Sequence, residues 1–105
     1  MSKVYVIGLG PGADRQMTLE AEKVLEKCQV IVGYTVYVDL IKSQYPEKLY
    51  LTTNMTQEVK RCRMALEEAA AGKAVAMVCS GDAGVYGMAG LMYELGEEYP
   101  GVMIE

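Results

Sequence analysis

The chain has 105 residues, 51% of them hydrophobic, enough for one domain with a modest core and too apolar and varied for a disordered segment. Its net charge is −4 and no basic stripe stands out, which argues against nucleic acid and anionic membrane surfaces as partners. No apolar run approaches the roughly 20 residues of a membrane span, and the amino terminus lacks the apolar region of a secretory signal, so a cytoplasmic location is the default expectation.

Val4 to Ile7 is a short β-branched and aromatic run, a good first strand. It runs into Gly8-Leu9-Gly10-Pro11-Gly12-Ala13, a tight glycine loop that Pro11 stiffens while removing one amide donor. Thr18 then reads as a helix cap, with Glu20 and Glu22 in the first turn. Ala21, Val24, Leu25 and Cys28 fall at i, i+3, i+4 and i+7, one apolar stripe. Val30 to Val32 is the second strand, ended by Gly33-Tyr34. Tyr37, Leu40 and Ile41 suggest a short helix closed off by Pro46. Leu49 to Leu51 is a weak third strand. Thr52, Thr53, Asn54 and Thr56 offer candidate caps for a helix carrying Val59, Cys62, Leu66 and Ala69 on one stripe and ended by Gly72.

Ala74 to Cys79 is an unbroken apolar run, which predicts a strand buried on both faces. It stops at Ser80-Gly81-Asp82, placing a polar loop at the strand's carboxyl end, the edge where open parallel sheets bind ligands. Gly84, Gly87 and Gly90 recur every three residues, a spacing that would bring the next helix close to a ligand or a neighbouring backbone. Met88, Leu91, Met92, Leu95 and Tyr99 form a third stripe, stopped by Pro100-Gly101, and Val102 to Ile104 begins a last strand. Strands alternating with helices through short connections imply right-handed crossovers. The expected fold is a three-layer α/β domain with a mostly parallel sheet of about five strands. Because Glu105 closes the chain at a strand, residues 1–105 read as a single amino-terminal domain cut from a longer, two-domain protein.

Cys28, Cys62 and Cys79 are far apart, without a Cys-x-x-Cys pair, and histidine is absent. Buried free thiols are expected and no bound metal is. The missing histidine also removes the usual general base and the Ser-His-Asp and Cys-His arrangements. Two readings compete for the first loop. Gly8, Gly10 and Ala13 meet the loose G-x-G-x-x-(G or A) dinucleotide pattern. However, Pro11 and a helix start near Thr18 spoil the pyrophosphate site, and Gly33-Tyr34 stands where an acidic ribose ligand belongs. The other reading is one small ligand held between Gly10-Pro11-Gly12 and Ser80-Gly81-Asp82.

Gly8-x-Gly10-Pro11-Gly12, Thr18, and Ser80-Gly81-Asp82-Ala83-Gly84-Val85-Tyr86-Gly87 together resemble the tetrapyrrole methylase family. The run from Gly33 to Ile41, with Gly-Asp-Ala-Gly in place of Gly-Asp-Pro, looks most like the branch that methylates carbon-17 of precorrin-3B or cobalt-precorrin-3 and contracts the ring. The resemblance implies an S-adenosylmethionine-dependent methyltransferase of corrin (vitamin B12) biosynthesis with a tetrapyrrole substrate. It implies a cofactor cleft between two domains, lined on this side by Pro11, Ser80, Gly81, Asp82 and Val85. Tyr34 stands where some members carry an aspartate suspected of acting as a base, so it is the candidate proton-transfer or stacking residue. Ala13 replaces an acidic residue common after the Gly-Pro-Gly loop, with Asp14 one step along. The isolated domain is expected to be inactive and the full-length protein to be a homodimer. A non-enzymatic nucleotide- or dinucleotide-binding module is the alternative.

Overall fold

The computed structural model of the chain describes residues 3–9, 19–54, 56–80, 82–99 and 101–104. Strands and helices alternate as β1 (Lys3–Leu9), α1 (Leu19–Lys27), β2 (Val30–Tyr34), α2 (Thr35–Ile41), β3 (Leu49–Thr53), α3 (Glu58–Ala70), β4 (Ala74–Ser80), α4 (Asp82–Gly96) and β5 (Met103–Ile104). The five strands form one sheet in the order β3-β2-β4-β1-β5, and each pairing is parallel. This is the expected α/β architecture. None of the described helices is long and apolar enough to cross a membrane.

Period-2 alternation divides the sheet between two cores. Val4, Val30, Val32, Val75, Met77 and Cys79 face α3 and α4, where Cys62, Leu66, Ala69, Met88 and Met92 meet them. Tyr5, Ile7, Ile31, Ala76 and Val78 face α1 and α2, against Leu25, Cys28, Val38 and Ile41. The helices segregate because crossovers are right-handed. The chain moves toward the β3 edge through α1 and α2 and returns through α3 and α4, so each pair lands on its own face. β4 lies in the middle, and Val75 to Val78 are at most 1% exposed, which explains the unbroken apolar run there. Each fully buried Leu, Ile or Met, such as Leu25, Ile31, Leu66 and Met77, contributes about 1.5–3 kcal/mol of burial.

Gly33 fits a point of close approach. A Cβ there would lie 2.6 Å from Val78 Cγ2, 3.1 Å from the Val78 carbonyl oxygen and 3.3 Å from Val38 Cγ2. Gly72 ends α3 as expected, with φ at +96°, a conformation glycine adopts without strain. At the amino ends of the strands, Gln29 ties three of them together. Its N–H donates to Ala74 O (2.9 Å), its carbonyl accepts from Leu49 N (3.1 Å) and its side-chain oxygen accepts from Ala74 N (2.9 Å).

Three local expectations need correction. Val59 is half exposed. Burial on α3 runs instead through Arg61, Cys62, Ala65, Leu66 and Ala69. None of Thr52, Thr53, Asn54 and Thr56 caps this helix. Gln57 precedes it without a side-chain cap bond, its Oε1 accepts instead from Asn54 N (3.3 Å), and the Thr53 hydroxyl bonds Arg61. Among the described residues, added Cβ atoms at Gly87 and Gly90 would meet nothing within 4 Å, so no neighbouring described backbone approaches these glycines closely. Gly84 is helical, in the first turn of α4.

Candidate functional site

All paired strands run the same way, so their carboxyl ends share one rim. The ladder between β1 and β4 runs in register to its last pair, Leu9 with Ser80. β1 and β4 are therefore adjacent strands that end at the same level. The chain leaving β1 goes to the α1 face, and the chain leaving β4 goes to the α4 face. Connections that part to opposite faces open a crevice outside the strand ends, where doubly wound sheets hold ligands. Ser80 is the last residue of β4, Asp82 the first of α4, and Val85 stands in the first turn of α4. Pro11 and Gly81 lie outside the described residues. α4 is a 15-residue helix that starts at this rim, and its amino end favours a negative group.

Tyr34 closes β2 on the same rim, opposite Thr53 at the end of β3. Its ring meets that of Tyr37 edge-on, with centroids 5.5 Å apart. This contact holds the half-buried ring in place. Thr35 Oγ1 donates to Thr53 O (3.3 Å), joining the ends of β2 and β3.

Sequence reasoning passed over Arg61. It is 6% exposed and lies near the start of α3. Its Nη1 donates to Thr53 Oγ1 at 2.9 Å and to Asn54 O at 3.5 Å. Its charge also reaches Cys62 and Cys79. Burial pushes both thiols up to about 11, and Arg61 pulls the other way. Its hydrogen bonds anchor the guanidinium at the carboxyl end of β3. The sequence did hold a signal, since Arg61, Ala65 and Ala69 recur every four residues and all three are buried. The stripe as read from Val59, Cys62, Leu66 and Ala69 left it out.

The three cysteines are buried and free. Cys62 Sγ lies 3.5 Å from Met88 Sδ, and Cys79 Sγ lies 3.5 Å from Ile7 O, which are core contacts. Among the described residues no group of three or more His, Cys, Asp or Glu side chains is placed to hold a metal ion. A cavity of about 530 Å³ lies at the opposite, amino-terminal rim, between residues 26–29 and 44–48, away from the loops.

The family model described as Tetrapyrrole (Corrin/Porphyrin) Methylases matches residues 3–105. The chain is 48% identical over 90 residues to the "Probable cobalt-factor III C(17)-methyltransferase" of Salmonella typhimurium (strain LT2), covering 86% of this chain and 37% of that protein. It is 46% identical over 93 residues to the "Cobalt-factor III methyltransferase" of Priestia megaterium, covering 89% of this chain and 17% of that one. The crystal structure of the methyltransferase CobJ matches the fold with a TM-score of 0.85 at 37% identity, covering 100% of this chain and 45% of that chain. The X-ray structure of the cobalt precorrin-4 methyltransferase CbiF matches with a TM-score of 0.73 at 29% identity, covering 98% and 44%. The chain thus spans less than half the length of each of these proteins.

Proposed function

Because the chain belongs to the tetrapyrrole (corrin/porphyrin) methylases, we propose that it is the amino-terminal domain of a cytoplasmic, S-adenosylmethionine-dependent C-methyltransferase of corrin biosynthesis. The assigned reaction is methylation of carbon-17 of precorrin-3B or cobalt-precorrin-3, with ring contraction. The relatives named for cobalt-factor III and carbon-17 support that choice of substrate. The observation that carries the reading is the level ending of β1 and β4 at Leu9 and Ser80, from which the two glycine-bearing segments of the sequence continue.

The residues present suit the donor. The amino end of α4 and the buried cation of Arg61 at the same rim favour its carboxylate, and glycines allow close backbone approach. Pro11, Ser80, Gly81, Asp82 and Val85 are assigned to its near wall. Asp82 suits the ligand's amine or ribose hydroxyls. When bound, the donor supplies a methyl group already activated on a sulfonium sulfur. The chain's own task is then to hold that group and the accepting carbon in line, about 3–3.5 Å apart, and to keep water out. Tyr34 is assigned to the macrocycle side. Its hydroxyl has no hydrogen-bond partner among the described residues, so it is available to take up or give a proton.

Residues 1–105 alone are inactive on this reading, because the far wall of the cleft belongs to the rest of the protein, which acts as a homodimer. Isothermal titration of the full-length protein with S-adenosylhomocysteine, NAD and ATP tests it. Binding of the first alone, with methyl transfer to the tetrapyrrole, is the expected result. Tight binding of NAD or ATP instead would make this a nucleotide-binding module.

A further inference from the structure

Arg61 is only 6% exposed, and the hydrogen bonds seen for it among the described residues are both from Nη1 to neutral groups: the Thr53 hydroxyl and the Asn54 carbonyl. Among the residues whose side chains are described no carboxylate lies within ion-pair distance of it, whereas Arg63, two positions on and exposed, holds Glu98 through both Nη atoms at 3.1 Å. Buried charges are normally paired, because desolvation of a lone ion is costly. Among the described side chains, Nε and Nη2 of Arg61 have no partner, and together they form the planar two-donor edge that matches a carboxylate. This group sits at the carboxyl rim, anchored by Thr53, the last residue of β3.

We propose that Arg61 receives a ligand carboxylate in the rim crevice and so positions the bound molecule. The proposal rests on the methyltransferase reading. Two sources carry this chemistry: the amino-acid carboxylate of the methyl donor and the carboxylate side chains of the tetrapyrrole. Either one supplies the negative charge that the fold leaves out.

The test uses full-length protein carrying Arg61→Met or Arg61→Lys. Three quantities are read: affinity for S-adenosylhomocysteine, affinity for its decarboxylated analogue, and KM against kcat for the tetrapyrrole. A donor carboxylate on Arg61 predicts that R61M weakens S-adenosylhomocysteine about 10- to 100-fold while the decarboxylated analogue is unaffected. A macrocycle carboxylate predicts the same factor in KM, with kcat within about threefold and S-adenosylhomocysteine unchanged. In either case R61K, which keeps the charge without the fork, gives a smaller loss in the same constant. Lower thermal stability with both constants within about twofold overturns the proposal and leaves Arg61 a structural tie between β3 and α3. If R61M does not fold, R61K decides: both constants unchanged overturn the proposal. Unchanged constants in a variant whose wild type binds S-adenosylhomocysteine sink this inference alone. A wild type that binds none of these molecules sinks the methyltransferase reading as well.

Discussion

Replacing Gly33 with alanine tests the packing that sets the rim. The new Cβ would stand 2.6 Å from a Val78 methyl, 3.1 Å from the Val78 carbonyl oxygen and 3.3 Å from a Val38 methyl. Val78 is 1% exposed on the central strand, Val38 is fully buried, and a valine has few rotamers with which to retreat. Overpacking of a core costs about 1–3 kcal/mol. A contact that includes backbone belongs at the upper end, about 3 kcal/mol. Loss of glycine's freedom in the unfolded chain returns about 0.4–1 kcal/mol. The net cost is about 2 kcal/mol, a fall in Tm of about 8–16 °C for a domain of this size. Thermal unfolding followed by circular dichroism measures it. Val78→Ala removes the nearest methyl and on its own should cost about 2 kcal/mol through the cavity it leaves. Together the two changes should cost at least about 1 kcal/mol less than their sum, because each makes room for the other. A neutral Gly33→Ala, or strict additivity in the double variant, would refute the close approach of β2, β4 and α2.

Burial holds the thiols of Cys28, Cys62 and Cys79 at about 11, against an ordinary 9.0. Native protein should resist maleimide near neutral pH and take up three equivalents once denatured; rapid native labelling contradicts the burial. With the folded values raised, the unfolded chain releases these protons first. Stability should therefore be undiminished below about pH 9 and fall as pH rises from about 9 to about 11, and replacing the cysteines with alanine should flatten that slope. Arg63 holds the exposed Glu98 carboxyl below its usual range by hydrogen bonding and charge. The stability this adds is present above the ordinary glutamate value and is lost as pH falls below it, and salt should weaken it. Arg63→Gln should leave Tm almost unchanged at high ionic strength, and a large drop there would contradict the surface character of the pair. Tyr34→Phe in the full-length protein should lower kcat about 100-fold if its hydroxyl moves a proton, as assigned. A rise in KM with kcat unchanged would make Tyr34 a stacking wall instead.

The order of elements was legible because each carries a local signature. Alternating apolar runs, the i, i+3, i+4 stripes of α1 and α4, and Gly72 at the end of α3 depend only on nearby residues. The continuous run from Ala74 to Cys79 also announced its position, since only a strand covered on both faces needs apolar residues at every place. Arg61 was missed and Val59 overrated for the same reason. Helical periodicity gives the angle of a side chain around its axis but not how far along that axis the sheet extends. Val59 has the right angle and is still half exposed, whereas Arg61 is buried and bonds Thr53.

By itself, then, the amino-acid order determined the α/β class and the buried central strand, because these follow from short-range pattern and backbone preference. Only tertiary structure decided that β4 lies between β1 and β2, that Leu9 and Ser80 end level, and that Gly33 sits against Val78. The same holds for the unpaired cation at the rim. Strand order and register join residues more than 70 positions apart. They are set by which apolar faces cover one another, a property of the whole packed chain and of no single stretch.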